Sequence, residues 1–134
     1  MIEERSGQVG AIARLTKQIS EADVALFELV TRDEDVQTTE PPRPDRRPRQ
    51  AAPFPLVAAM LASAASRHQP TLGPVRFVRE EVSFAAPAYT DDTLCAVAEV
   101  TGYDGASHIL RVSVHCENQE GLRLAEGCFY LSDD

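Results

Sequence analysis

The chain has 134 residues, of which 43% are hydrophobic and 25% charged, so it is long enough to bury one continuous core and too apolar for wholesale disorder. Its 21 acidic and 13 basic residues give a formal net charge of -8, which argues against general attraction to nucleic-acid phosphates or anionic lipid. Three widely separated cysteines, Cys95, Cys116 and Cys128, lie in apolar stretches and read as core thiols of a reducing compartment rather than a disulfide framework. No basic N-terminal region leads into an apolar signal segment, and no run approaches the roughly 20 apolar residues that span a bilayer. The expectation is a cytoplasmic single domain over residues 1–134, with neither nucleic acid nor membrane as partner.

In chain order, residues 9–18 read as a short strand. Ser20-Glu-Ala-Asp23 then forms an N-cap signature, in which a side-chain oxygen satisfies an orphan amide and an acid occupies the favourable first turn. Val24, Phe27, Leu29 and Val30 continue with helical apolar spacing, and the helix is expected to end by Arg32. The stretch Pro41-Pro-Arg-Pro-Asp-Arg-Arg-Pro-Arg49 repeatedly fixes φ and removes amide donors, so residues 41–50 form an exposed loop. Residues 55–65 follow with proline in the first turn and small or apolar residues all round, the signature of a fully buried helix.

From Val75 onward the period changes. Residues 75–84, 94–101, 109–116 and 122–131 are β-rich, divided by Pro87, Asp91-Asp92, residues 102–105 and residues 118–121. Four strands in series suggest an antiparallel meander. Leu110, Val112, Val114 and Cys116 alternate with Arg111, Ser113 and His115, the clearest strand with one buried face. The predicted class is therefore α+β, an antiparallel sheet wrapped around a buried central helix.

Several segments resemble the MaoC-like family of (R)-specific enoyl-thioester hydratases and dehydratases, and the resemblance runs over residues 9–131. Val82-Ser-Phe-Ala-Ala-Pro-Ala-Tyr-Thr-Asp-Asp-Thr-Leu94 is similar to the family's strand-turn-strand segment R-F-x-x-P-V-x-P-G-D-T-L. Cys116-Glu-Asn-Gln-Glu-Gly121 is similar to its N-Q-x-G hairpin turn. The resemblance implies a hotdog fold; because fold does not fix function, these segments say little about chemistry.

The family's chemistry is carried by S-G-D-x-N-P-x-H after the first helix and by A-H-G-M leading into the central helix. Aligned on residues 27–30, Thr31-Arg-Asp-Glu-Asp-Val-Gln-Thr38 places Asp33 at the catalytic aspartate. It puts Arg32 at the glycine, Asp35 at the asparagine, Val36 at the proline and Thr38 at the catalytic histidine. Ala52-Pro-Phe-Pro55 replaces A-H-G-M, with Pro53 at the histidine and Phe54 at the glycine whose amide resembles an oxyanion donor. Hydration needs a positioned water, an acid and base at opposite ends of the double bond, and donors to the developing enolate oxygen. Asp33 alone cannot supply all three. Thr38 can hold a water but does not titrate near neutral pH, and the Phe54 side chain could fill the channel that glycine leaves open.

Bland readings stand beside these. Asp33 is either a surviving acid/base or a solvated residue just beyond a helix. His68, His108 and His115 are solitary and read as structural, with His68 favoured at a helix end by the dipole. Asp91 and Asp92 read as turn formers. Neither H-x-x-x-H nor paired cysteine spacing suggests a metal, and no glycine-rich phosphate loop or dinucleotide fingerprint suggests a nucleotide cofactor, so no cofactor is expected. Arg43, Arg46, Arg47 and Arg49 concentrate positive charge on one loop of an acidic chain, and arginine forks bind phosphates. A CoA phosphate, a phosphopantetheine phosphate or an acidic acyl carrier protein would fit them; so would a solubilising loop.

Three functional readings follow from the resemblance. The first is a lyase-lineage or isomerase-like enzyme of fatty acid or polyketide metabolism. It would act on an acyl thioester or a product of one by repurposed dehydration, isomerisation or cyclisation, with Asp33 as base or acid. The second is a non-catalytic subunit of a dehydratase complex, which shapes the acyl channel while another subunit provides the catalytic dyad. On either reading a homodimer, or a heterodimer with a related hotdog subunit, is expected, since two such sheets joined edge to edge extend hydrogen bonding and cover exposed strand edges. The third is a hotdog thioesterase, disfavoured because no carboxylate stands at the head of the central helix.

Overall fold

The computed structural model describes residues 7–31 and 39–134. In chain order its elements are β1 (Ile12–Gln18), α1 (Glu21–Thr31), α2 (Phe54–Ser66), the single turn α3 (Gln69–Leu72), β2 (Arg76–Phe84), β3 (Thr93–Asp104), β4 (Ile109–Glu117) and β5 (Arg123–Ser132). All five strands join one antiparallel sheet in the order β1-β3-β4-β5-β2. Helix α2 packs against β1, β3, β4 and β5, which gives the α+β hotdog architecture.

The helix starts where its chemistry dictates. The Asp23 amide donates to Ser20 Oγ at 3.0 Å and the Ser20 amide donates to Asp23 Oδ2 at 2.9 Å, a reciprocal cap that satisfies two orphan donors of α1. The Ser20 amide, followed by Lys17 Nζ at 3.0 Å, holds the Asp23 carboxyl below its ordinary range. Strand β1 is shorter than expected, because residues 7–10 form a turn closed by the Ala11 amide on the Gln8 carbonyl at 3.1 Å and tied to β3 by the Gly10 amide on the Val100 carbonyl at 2.7 Å.

Alternation along the central strands builds the core. Leu94, Ala96, Ala98 and Val100 of β3 and Leu110, Val112, Val114 and Cys116 of β4 are buried, facing Val57, Met60, Leu61, Ala64 and Ala65 of α2. Alanines on both sides of this contact let helix and sheet approach closely, and the aliphatic layers beside them supply most of the buried area. His68, just past α2, is buried with Nε2 2.9 Å from the Ala98 carbonyl, so it ties the helix end to β3, in keeping with a structural role.

Four expectations need correction. First, the four C-terminal strands are not a simple meander: β3, β4 and β5 are, but β2 pairs with β5 at the far edge. The connection 85–92 does not turn back tightly, because the Ala52 amide donates to the Ala88 carbonyl and the Thr90 amide to the Gln50 carbonyl, drawing it across to residues 50–52. Second, α2 is buried on one side only; Phe54, Pro55, Ala59 and Ser63 are exposed, since one sheet covers one face of a helix. Third, Gly102 lies within β3, where a bulge between Val100 and Gly102 extends the strand to Asp104, so the turn begins later than expected. Fourth, of the cysteines only Cys116 is in the core; Cys95 and Cys128 are half-buried because their positions alternate onto the outer face.

Candidate functional site

The residues 39–52 that lead into α2 are ordered by a buried charge cluster that the sequence did not suggest. Thr39 bridges to Gln50 and Arg43 to Arg46, so the proline-rich stretch is a narrow antiparallel excursion rather than an open loop. At its base, Arg49 Nη2 lies 3.0 Å from Glu40 Oε2 and Arg49 Nη1 lies 2.8 Å from Asp92 Oδ1. Glu40 and Asp92 are only 4% and 2% exposed. Asp92 also accepts from the Tyr89 amide and from Gln119 Nε2, each at 2.9 Å, and the Arg49 guanidinium lies 5.2 Å from the Tyr89 ring centroid. Hydrogen bonds from Arg49 are the main cause holding the Glu40 carboxyl below its ordinary range.

Asp92 is thus the hub that fastens the excursion to the β2–β3 connection and, through Gln119, to the β4–β5 hairpin. Its neighbour Asp91 is the turn former, with φ of 75°, in the left-handed region that a short polar side chain tolerates better than most. Reading both aspartates as turn residues therefore held for Asp91 and missed Asp92.

The four arginines fare differently. Arg49 is spent on the buried cluster, Arg46 Nε reaches Glu40 Oε1 at 3.1 Å, and Arg43 Nε pairs with Asp45 at 3.3 Å. Arg47 is exposed and makes no ion pair among the described residues. Arg46, Arg47, Thr39 and Gln50 line an open pocket of about 500 Å³, whose rim also carries Glu21 and Asp91.

A second pocket, of about 290 Å³, lies between α1, the end of β1 and the first turns of α2. It is walled by Ile19, Leu26, Phe27, Val30, Leu56 and Met60, with the Lys17–Asp23 ion pair as its polar edge. Gln50 Nε2 donates to Glu28 at 3.1 Å, fixing α1 to the excursion that precedes α2. Phe54 does not wall this pocket: the residue is 46% exposed and its ring meets that of Phe84 at a tilt of 40°, with centroids 4.8 Å apart. Among the described residues helix α2 has no side-chain cap; Pro55 has no amide, and the Leu56 amide is taken by the Pro53 carbonyl. The Phe54 amide has no hydrogen-bond acceptor among the described residues outside its own helix, so a donor is left at the positive end of the helix dipole.

Asp33 and Thr38 lie outside the described residues. The chain leaves the described part after Thr31, one residue beyond the pocket-lining Val30, and rejoins it at Thr39, beside Glu40. Among the described residues no group of histidine, cysteine or acidic side chains could hold a metal ion, and no helix is long and apolar enough to cross a membrane.

No family model matches the chain, and no curated protein sequence matches it. Solved structures do. An (R)-hydratase from A. caviae involved in PHA biosynthesis superposes with a TM-score of 0.75 at 22% identity, covering 92% of this chain and 95% of that one. The ChsH1-ChsH2 complex from Mycobacterium tuberculosis gives 0.71 at 18% identity, over 92% and 96% of the two chains. The truncated HadBC complex of the same organism, a 3R-hydroxyacyl-ACP dehydratase, gives 0.67 at 15% identity, also over 92% and 96%. The chain therefore shares the hotdog fold of these structures, as the segments around Pro87 and Asn118 suggested.

Proposed function

We propose that this chain binds an acyl thioester, carried on CoA or on an acyl carrier protein, or a product derived from one, and acts on it by chemistry other than standard enoyl hydration. The observation that carries this reading is that the first turn of α2 holds both a wall of the apolar pocket, Leu56, and a helix-terminal amide, that of Phe54, with no acceptor among the described residues. The pocket walls of Leu56 and Met60 suit an acyl chain, and the Phe54 amide suits a thioester or enolate oxygen. The exposed Phe54 ring leaves the pocket unplugged, which favours an enzyme over a filled scaffold. Arg47, with the outer side of Arg46, would face the carrier's phosphates. Asp33 follows the pocket-lining Val30 closely in sequence and is the one carboxylate in the family's catalytic position, so it is assigned as acid or base. Thr38 is assigned to holding a water. The setting is cytoplasmic fatty acid or polyketide metabolism, with dehydration, isomerisation or cyclisation as the reaction.

A second reading, a non-catalytic subunit within a heterodimer, is favoured by one feature. Among the described residues strand β2 pairs only with β5, is exposed along nearly its whole length and carries Phe77, Val78 and Phe84 at the surface. Such an unpaired edge suits pairing with another hotdog chain, and two of the similar structures are two-protein complexes by name.

The test is turnover of a panel of 3-hydroxyacyl and 2-enoyl thioesters, on CoA and on acyl carrier protein, by wild type and Asp33→Asn. Crotonyl-CoA hydration should be negligible, since losing a general acid/base removes about 10²–10⁴-fold in rate. On whichever thioester is turned over, Asp33→Asn should show a large fall. Unchanged turnover in that variant removes Asp33 from the chemistry, and no turnover of any panel member with retained partner binding favours the subunit reading.

A further inference from the structure

The outer face of the sheet, opposite α2, carries a pocket that the acyl-thioester reading does not use. It has a volume of about 360 Å³ and lies at the β3–β4 hairpin, lined by Gly102, Asp104, Ser107, Ile109, Arg111 and Tyr130 among others. The β3 bulge sets Gly102 opposite Arg111, and the Arg111 side chain lies flat across it: a Cβ on residue 102 would sit 2.7 Å from Nη2 and 3.4 Å from Cζ. Gly102 does not need a positive φ, so glycine serves here to make a seat for the guanidinium. The backbone beneath is held by Thr101 Oγ1 donating to the Arg111 carbonyl at 3.3 Å.

The guanidinium itself is unspent. It makes no ion pair and no hydrogen bond among the described residues, whereas Arg46, Arg49, Arg79 and Arg123 are each paired with carboxylates. The carboxylate in the same pocket, Asp104, is turned to its own loop. Its Oδ1 accepts from the Ala106 amide at 3.0 Å and its Oδ2 from Ser107 Oγ at 2.9 Å. The side chain opposite Arg111 on β5 is Tyr130, half-buried, which already has the Arg79 guanidinium 5.5 Å from its ring centroid. Ile109 adds an apolar surface.

We propose that this pocket is a binding site for a small monocarboxylate with a flat apolar body, such as an aryl carboxylate, its carboxylate forked by Arg111 and its ring against Tyr130 and Ile109. A guanidinium presents parallel donors that match a carboxylate, and an aromatic wall favours a planar body. Charge selects the monoanion: Asp104 lies in the pocket and the chain as a whole is at -8, so a phosphate dianion meets repulsion that a single carboxylate meets half as strongly. One exposed fork and a ring contact give a dissociation constant on the order of 1 mM.

The test is a titration of the whole chain with benzoate, followed by backbone amide NMR shifts. Saturable shifts should appear at Gly102, Ser107, Arg111 and Tyr130. Arg111→Gln should weaken binding at least tenfold on the same residues. Gly102→Ala, which displaces only the flexible end of Arg111 and keeps its charge, should weaken binding by less, in a fold unchanged by circular dichroism. Leu56→Trp, in the apolar pocket beside α2, should leave benzoate binding intact, which separates this site from the acyl-thioester reading. Inorganic phosphate binding here as tightly as benzoate overturns the monocarboxylate assignment. Shifts that fail to saturate, or that survive Arg111→Gln, overturn the site.

Discussion

Replacing Arg49 with methionine tests the buried charge cluster that orders residues 39–52. Methionine keeps the aliphatic stem but leaves Asp92, 2% exposed, with only the neutral donors of Tyr89 and Gln119, while Glu40 retains Arg46. Breaking a buried pair by removing one partner costs about 3–5 kcal/mol because a charge is left uncompensated; with Glu40 still paired, about 3 kcal/mol is expected. For a chain of this length that corresponds to a fall in Tm of roughly 10–15 °C. Urea denaturation at pH 7, with calorimetry alongside, reads it directly. Arg49→Lys should recover only part of the loss, since one ammonium cannot fork two carboxylates. The triple variant Arg49→Met, Glu40→Gln, Asp92→Asn should be more stable than the single one, because it buries no orphaned charge. A loss below about 1 kcal/mol for Arg49→Met, the range of an exposed pair, would mean that the cluster contributes no more than a surface ion pair. The pH dependence has a fixed sign: the folded Glu40 carboxyl lies below its ordinary 4.5, so its contribution is complete above that value and fades as pH falls through the depressed folded value.

Gly127→Ala should be severe, because a Cβ there would lie 1.9 Å from the Glu81 carbonyl oxygen; a loss of about 3 kcal/mol with amide exchange rising first along β2 is expected from overpacking against backbone. At Asp91, whose φ is 75°, Asp91→Gly should hold or raise the denaturation midpoint, whereas Asp91→Val should lose about 1–2 kcal/mol because a β-branched residue resists the left-handed region. Burial pushes the Cys116 thiol up to about 12, so a thiol reagent at pH 8 should label Cys95 and Cys128 in the native protein and reach Cys116 only on unfolding.

The hotdog architecture was readable where a residue's neighbours along the chain decide its state. The alternation in β4, the Ser20–Asp23 cap and the proline-led α2 each fold from local pattern, and their positions came out within a few residues. What failed depends on contacts distant in sequence. Nothing in residues 76–84 says that they pair with residues 123–132, and an isolated Asp92 after a turn looks like any turn aspartate until Arg49 arrives from 43 positions away. The arginine run looked like one solvent-facing charge patch, yet position 49 faces inward while position 47 faces out, a difference set by the Thr39–Gln50 bridge. The apolar pocket was likewise invisible, being assembled from β1, α1 and α2 by packing rather than by any motif.

If the pocket beside α2 holds the acyl chain of a thioester, calorimetric titration with the inert thioether S-octyl-CoA will show it. Wild type should bind saturably. Leu56→Trp, which fills the pocket from its wall, should bind at least tenfold more weakly: excluding even two methylenes at about 0.8 kcal/mol each exceeds the 1.4 kcal/mol that a factor of about ten represents. Equal binding by a folded Leu56→Trp variant, or no binding by wild type, would mean that this pocket does not hold the acyl chain.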